Sequence, residues 1–220
     1  MSSRSLTPLV SVHAGLLVAG AVALSLDAPA KGWGVLATVV AYVVALQVAA
    51  RRSGRADLVD LAAFLVPVSV FQVLPDWVLA DLLGTLRFPD TGGLRVDDVI
   101  PLAMAGMWVA PLFVAVALAG GRPARAAVLA AVVFLGSEIA APGLGLWEPT
   151  GDTTRWGGVA IYVIPAEAAL GWATAVSLAA TRRSGVLHRV AAALAVSTFY
   201  LGALVLSYFL IDVAGWSVTA

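Results

Sequence analysis

The sequence predicts an all-α integral membrane bundle: one transmembrane helical domain over residues 1–220, with seven transmembrane helices and a cytoplasmic N-terminus. Three observations carry that reading. The chain is 61% hydrophobic and only 12% charged, with a mean hydropathy of +0.97, whereas a soluble domain sits near half apolar and a quarter charged. Its apolar residues gather in seven runs, most of them near the roughly 20 residues that cross about 30 Å of hydrocarbon. Lys and Arg are shared unevenly between the joints that separate those runs.

The first run, 7–26, follows Arg4 and precedes Ala28-Pro29-Ala30, the outline of a signal peptide with a cleavage site. It is long enough to span, so it is read as a retained first helix. The remaining runs are 32–50, 58–74, 99–120, 124–141, 157–180 and 186–214. Pro75 cuts the third short, and residues 76–86 either continue it past a kink or lie at the interface as an amphipathic piece. The joints are short and rich in Gly, Pro and Arg, as in Arg51-Arg52-Ser53-Gly54-Arg55 and Gly121-Arg122-Pro123. With seven spans, nine basic residues share one side: Arg4, Arg51, Arg52, Arg55, Arg122, Arg125, Arg182, Arg183 and Arg189. Four lie on the other: Lys31, Arg87, Arg95 and Arg155. Positive charge favours the cytoplasmic side, so the C-terminus is expected outside, in the plasma (cytoplasmic) membrane. Two longer polar loops, 75–98 and 142–156, then share the outer face.

Absences narrow the chemistry. Net charge is formally zero with no Lys/Arg-rich run, so no nucleic-acid partner is expected. There is no Cys, which removes thiol nucleophiles and thiolate metal sites together. His13 and His188 are too far apart in sequence to suggest a metal pair. No D-D-x-x-D or N-D-x-x-D is present for a magnesium–diphosphate site, and no G-x-S-x-G, H-E-x-x-H or G-x-x-x-x-G-K. The expectation is a protein without metal or cofactor.

Glu138 and Glu167 each stand alone in an apolar run, and such acids face a bundle interior and usually act there. Pro165 lies two residues before Glu167, so a kink and a freed carbonyl at Ile161 are expected beside it. Glu138 should lie about one turn inside the end of its helix, and Glu167 roughly 15 Å below the start of its own. Burial in an apolar pocket disfavours the charged form of a carboxyl group, which then remains a proton donor at neutral pH. Protonating an alkene or epoxide creates a carbocation, and aromatic faces stabilise cations while water is excluded. Trp108, Phe113, Trp147, Tyr162, Trp172 and Tyr208 are the candidate aromatics, with Asp76 and Trp77 of Leu-Pro-Asp-Trp as a cap on the pocket. Taken singly, each aromatic is better explained by helix packing, and Asp76 equally well by a helix N-cap.

From Gly145-Leu146-Trp147 through Pro165-Ala166-Glu167, the sequence resembles the integral-membrane lycopene cyclase family. Members have a G-x-W loop followed by a helix opening with P-x-E-E, whose acids are implicated in protonating a carotenoid alkene. Pro165 and Glu167 match that pattern, and Ala168 stands where the second acid is. The size, the seven spans and the acids near helices three and seven also resemble the small membrane-bound terpene cyclases of meroterpenoid and indole-diterpene pathways. That resemblance implies two separated acids, no metal, and Asp212 as the acid on helix seven. The expected function is therefore proton-initiated cyclisation of a polyprenyl substrate, with Glu138, Glu167, Asp76 and Asp212 as the catalytic acids. A lipophilic isoprenoid and membrane lipid are the expected partners. A hydratase in which water captures the cation, a proton-coupled carrier using the same acids as a relay, and a non-catalytic membrane subunit are the alternatives.

Overall fold

In the computed structural model, which describes residues 6–214, the apolar runs form helices α1 (Thr7–Leu24), α2 (Ala30–Arg52), α3 (Ala56–Leu82), α4 (Met104–Ala119), α5 (Pro123–Leu144), α6 (Val163–Thr181) and α7 (Val186–Val213). Six of them are long and apolar enough to cross a membrane, and α4 is shorter. Local signals set their ends. A proline in the first turn opens α1 and α5, where its missing N–H costs nothing. Gly120 and Gly145 close α4 and α5 in the left-handed region. Short joints make sequence neighbours pack side by side, α1 on α2, α4 on α5 and α6 on α7, and α5 also packs on α6 across the longer loop 145–162. The middle of α3 is the core, with Leu61, Phe64, Leu65 and Val68 buried. Large apolar residues such as Val10, Val128, Val132, Val186 and Leu187 stay exposed on the outside.

Two helix starts differ from the sequence-based expectation, and one open boundary is decided. α3 continues past Pro75 to Leu82, the first of the two alternatives for residues 76–86, and ends in a π-turn from Val78 to Leu82. α4 begins at Met104 rather than residue 99, because Arg95–Val96 (β2) pairs with Ile100–Pro101 (β3), following Leu86–Arg87 (β1). The turn between them puts Asp97 and Asp98 at φ 53°, which Asp tolerates better than most residues. α6 begins at Val163 rather than residue 157. Glu148–Pro149 (β4) precedes a hairpin of Arg155–Trp156 (β5) with Val159–Ala160 (β6). Its two-residue turn is Gly157-Gly158, both at positive φ, the type I′ requirement.

That later start removes the expected kink. Pro165 is the third residue of α6, where a missing N–H breaks no helical bond. The carbonyl of Ile161 is not orphaned either, since it accepts the N–H of Ile164 at 3.2 Å. Glu167 therefore sits only four residues, about 6 Å, into its helix instead of 15 Å.

The loops 83–103 and 145–162 meet over one end of the bundle. β1 and β4 pair antiparallel, Arg87 opposite Glu148, and the two side chains form an ion pair. Thr150 adds its N–H to the carbonyl of Thr85 and its hydroxyl to that of Gly84, both at 3.0 Å. The first loop is pinned to α2, where the Gly32 N–H reaches the Thr91 carbonyl at 2.9 Å. A Cβ on Gly32 would lie 1.8 Å from the Gly92 oxygen, so only glycine permits that approach. Arg51, Arg52, Arg55, Arg122, Arg125, Arg182, Arg183 and Arg189 lie at or near the opposite end, where Arg189 pairs with Asp60 at 3.3 Å. Arg4 lies outside the described residues.

Candidate functional site

Beneath the paired loops lies a cavity of about 440 Å³ with mostly apolar walls. Asp76 from α3, Glu138 from α5 and Glu167 from α6 all line it. Each is near the loop-covered end of its helix, which is why three acids far apart in sequence converge. Asp76 is 3% and Glu167 1% exposed, and Glu138 is half-buried.

Two of the acids are oriented by tryptophans. The Trp108 indole N–H donates to Asp76 Oδ2 at 3.1 Å, and that of Trp147 donates to Glu138 Oε1 at 3.0 Å. Glu167 has no such partner, and its Oε2 is buried without a hydrogen bond. Among the described residues no Lys, Arg or His forms an ion pair with any of the three; the ion pairs there use Asp57, Asp60, Asp90 and Glu148 instead. Buried polar groups are normally satisfied, so an unsatisfied carboxyl oxygen on a cavity wall stands out as a functional candidate.

Aromatic rings complete the walls. The Trp108 ring lies 5.1 Å from Phe134 and 5.6 Å from Tyr200, centroid to centroid. The Tyr162 hydroxyl donates to Thr85 Oγ1 at 2.9 Å, which joins the start of α6 to the covering loop. Of the residues singled out from sequence, Trp108, Trp147 and Tyr162 line the cavity with the three acids.

The others lie elsewhere. Asp212, in the π-turn that ends α7, accepts the N–H of Thr154 at 2.6 Å, outside the cavity. Trp77 follows Asp76 but is rotated by about 100° on the helix, and its N–H goes to Asp97 Oδ2 at 3.0 Å. Phe113 is buried against His13, with centroids 5.7 Å apart. Trp172 is 44% exposed beside Phe199, and Tyr208 stands behind Tyr162 at 5.4 Å. None of these five lines the cavity.

Tyr42, Phe134 and Tyr200 are wall residues that the sequence reading passed over. Phe134 was within reach, because it lies one turn before Glu138 on the same helix face. Among the described residues, no group of three or more His, Cys, Asp or Glu is close enough to hold a metal ion.

Fold and site together define a helical protein with an acid-bearing apolar chamber at one end of its bundle. The chain belongs to the family of a domain of unknown function, DUF6989, whose model matches residues 73–211 and so takes in all three cavity acids. No curated protein and no solved structure matches it.

Proposed function

We propose that this protein is a multi-pass protein of the cytoplasmic membrane that cyclises an isoprenoid without a metal. Its seven helices span the bilayer, with the N-terminus inside and the loop-covered chamber on the outer side. The observation that carries the reading is the chamber itself. Three carboxyl groups from three helices line one apolar space beside the rings of Trp108, Trp147 and Tyr162.

In this reading Glu167 is the proton donor. Its Oε2 has no hydrogen-bond partner among the described residues. The proton passes to an alkene carbon of the substrate, forming a C–H bond and a tertiary cation. A second double bond supplies the electron pair that closes the ring. Loss of a proton to Glu138 or Asp76, each held in place by an indole N–H, ends the sequence. Substrate and product have the same atoms, so no co-reactant is consumed, and the carboxyl groups exchange the proton before the next turnover. The indole and phenol faces stabilise the passing cation, and the apolar walls keep water from capturing it.

The test is an incubation of the purified protein, reconstituted in vesicles, with linear polyprenols and their terminal epoxides in heavy water. From a polyprenol the expected product is a cyclic isomer carrying one deuterium at the protonated carbon; from an epoxide, which is protonated on oxygen, it is a cyclic alcohol without carbon-bound deuterium. Recovery of every substrate unchanged, or a product enriched in water-derived oxygen, would sink the cyclase reading.

A further inference from the structure

The chamber is closed above by the paired loops but not on its side. Leu17 of α1 and Leu144 of α5 both line it, yet they are 75% and 41% exposed, so the chamber reaches the outside of the bundle at this point. α1 packs along α2, and α5 packs along α4 and α6. These two helices thus flank the opening without a packed seam of their own. The side chains at the opening are small, with Gly20 and Ala21 on α1 and Ala140 on α5. A Cβ built on Gly20 meets nothing within 4 Å. The faces on either side are apolar, with Val18 on α1 and Ile139 on α5 exposed.

We propose that the gap between α1 and α5 is a lateral doorway through which a single apolar chain passes between the hydrocarbon layer and the chamber. The inference rests on the membrane-embedded, isoprenoid-binding reading above and adds the route and the shape of the ligand. A chamber of about 440 Å³ suits one small-molecule ligand. The doorway leads past Glu138 on α5, so the chain meets the Glu138–Trp147 pair as it enters. At the loop end the Arg87–Glu148 ion pair and the Thr150 hydrogen bonds clasp the two loops together, which leaves the side as the path.

The test uses a benzophenone-bearing polyprenol dissolved in phosphatidylcholine vesicles that contain the protein. In the wild type, photolabelling should fall on the segment from Glu138 to Trp147. Gly20→Trp should lose most of that labelling, since a Cβ there meets nothing within 4 Å and the indole can extend into the gap. Val18→Trp, on the exposed face of α1 and outside the chamber, should label like the wild type. The chain has no Cys, so Gly20→Cys with Ala140→Cys can be bridged by a reducible bifunctional thiosulfonate. Bridging should abolish labelling and reduction should restore it in the same folded protein. An unlabelled wild-type chamber, or Gly20→Trp labelling at the wild-type level, overturns the doorway. Turnover is read separately. Labelling without any cyclic isomer removes the cyclase reading and leaves the doorway, while full turnover in Gly20→Trp removes the doorway and leaves the cyclase.

Discussion

The hydroxyl of Ser197 donates to the carbonyl of Phe71 at 2.8 Å. That carbonyl is the one Pro75, four residues on, leaves without a helical N–H. A side chain of α7 thus completes the backbone of α3 just before Asp76, and keeps the helix running past its proline. Ser197→Ala should cost about 1 kcal/mol, the usual net worth of such a bond. In a double-mutant cycle the loss should shrink when Pro75→Ala restores the N–H. Unfolding midpoints of the four proteins in detergent measure it, and additive losses would contradict the account.

Glu167→Gln keeps the size of the side chain but removes its ionisable proton. Cyclisation should fall at least about a hundredfold, the lower range for positioned proton transfer, with expression and melting temperature nearly unchanged. Glu138→Gln measured alongside should keep partial activity, because the amide oxygen still accepts the Trp147 N–H. Equal, complete losses in both would assign the donor role to the pair rather than to Glu167.

Trp147→Phe and Trp108→Phe preserve most of the ring face and delete one N–H each. If the indoles align the acids, turnover should fall by about tenfold, the effect of losing one oriented hydrogen bond of about 1.4 kcal/mol. Substrate affinity should change less. A KM increase with unchanged kcat would instead show that the rings only bind.

The helices were legible because hydrophobic runs of span length admit few other structures, and Glu138 and Glu167 stood out as lone acids within them. The starts of α4 and α6 were hidden by the same apolar composition. Residues 157–162 are nearly all apolar or glycine and read as helix, whereas Gly157-Gly158 in fact turns a hairpin. Once that hairpin is recognised, Pro165 moves into the first turn and its expected kink disappears. That Asp212 and Trp77 lie off the cavity was not legible, because helix position says nothing about which loop comes back to meet a side chain. Thr154 and Asp97, their partners, both sit on such loops.

The uneven distribution of Lys and Arg makes a topological prediction. A tag fused after Ala220 should be reached by a membrane-impermeant reagent from outside intact cells, and one at Met1 only after permeabilisation. Both tags responding alike would mean that one of the seven helices, α4 being the shortest, does not cross.

Turnover should also survive chelation of divalent cations. Activity assayed with EDTA and with EDTA plus excess magnesium should be equal. Rescue by magnesium would redirect attention to Asp76, Asp81, Asp97 and Asp98 as ligands.

Where α5 meets α6, a Cβ on Gly171 would lie 2.4 Å from the Ala130 side chain and 2.6 Å from the Ala126 carbonyl. The two helices therefore touch backbone to backbone, one turn from Glu167 on α6 and two turns from Glu138 on α5. Contact that close leaves no side chain to deform, so the pair behaves as a stator. The spacing of Glu138 and Glu167 is thereby tied to that one close contact between their helices.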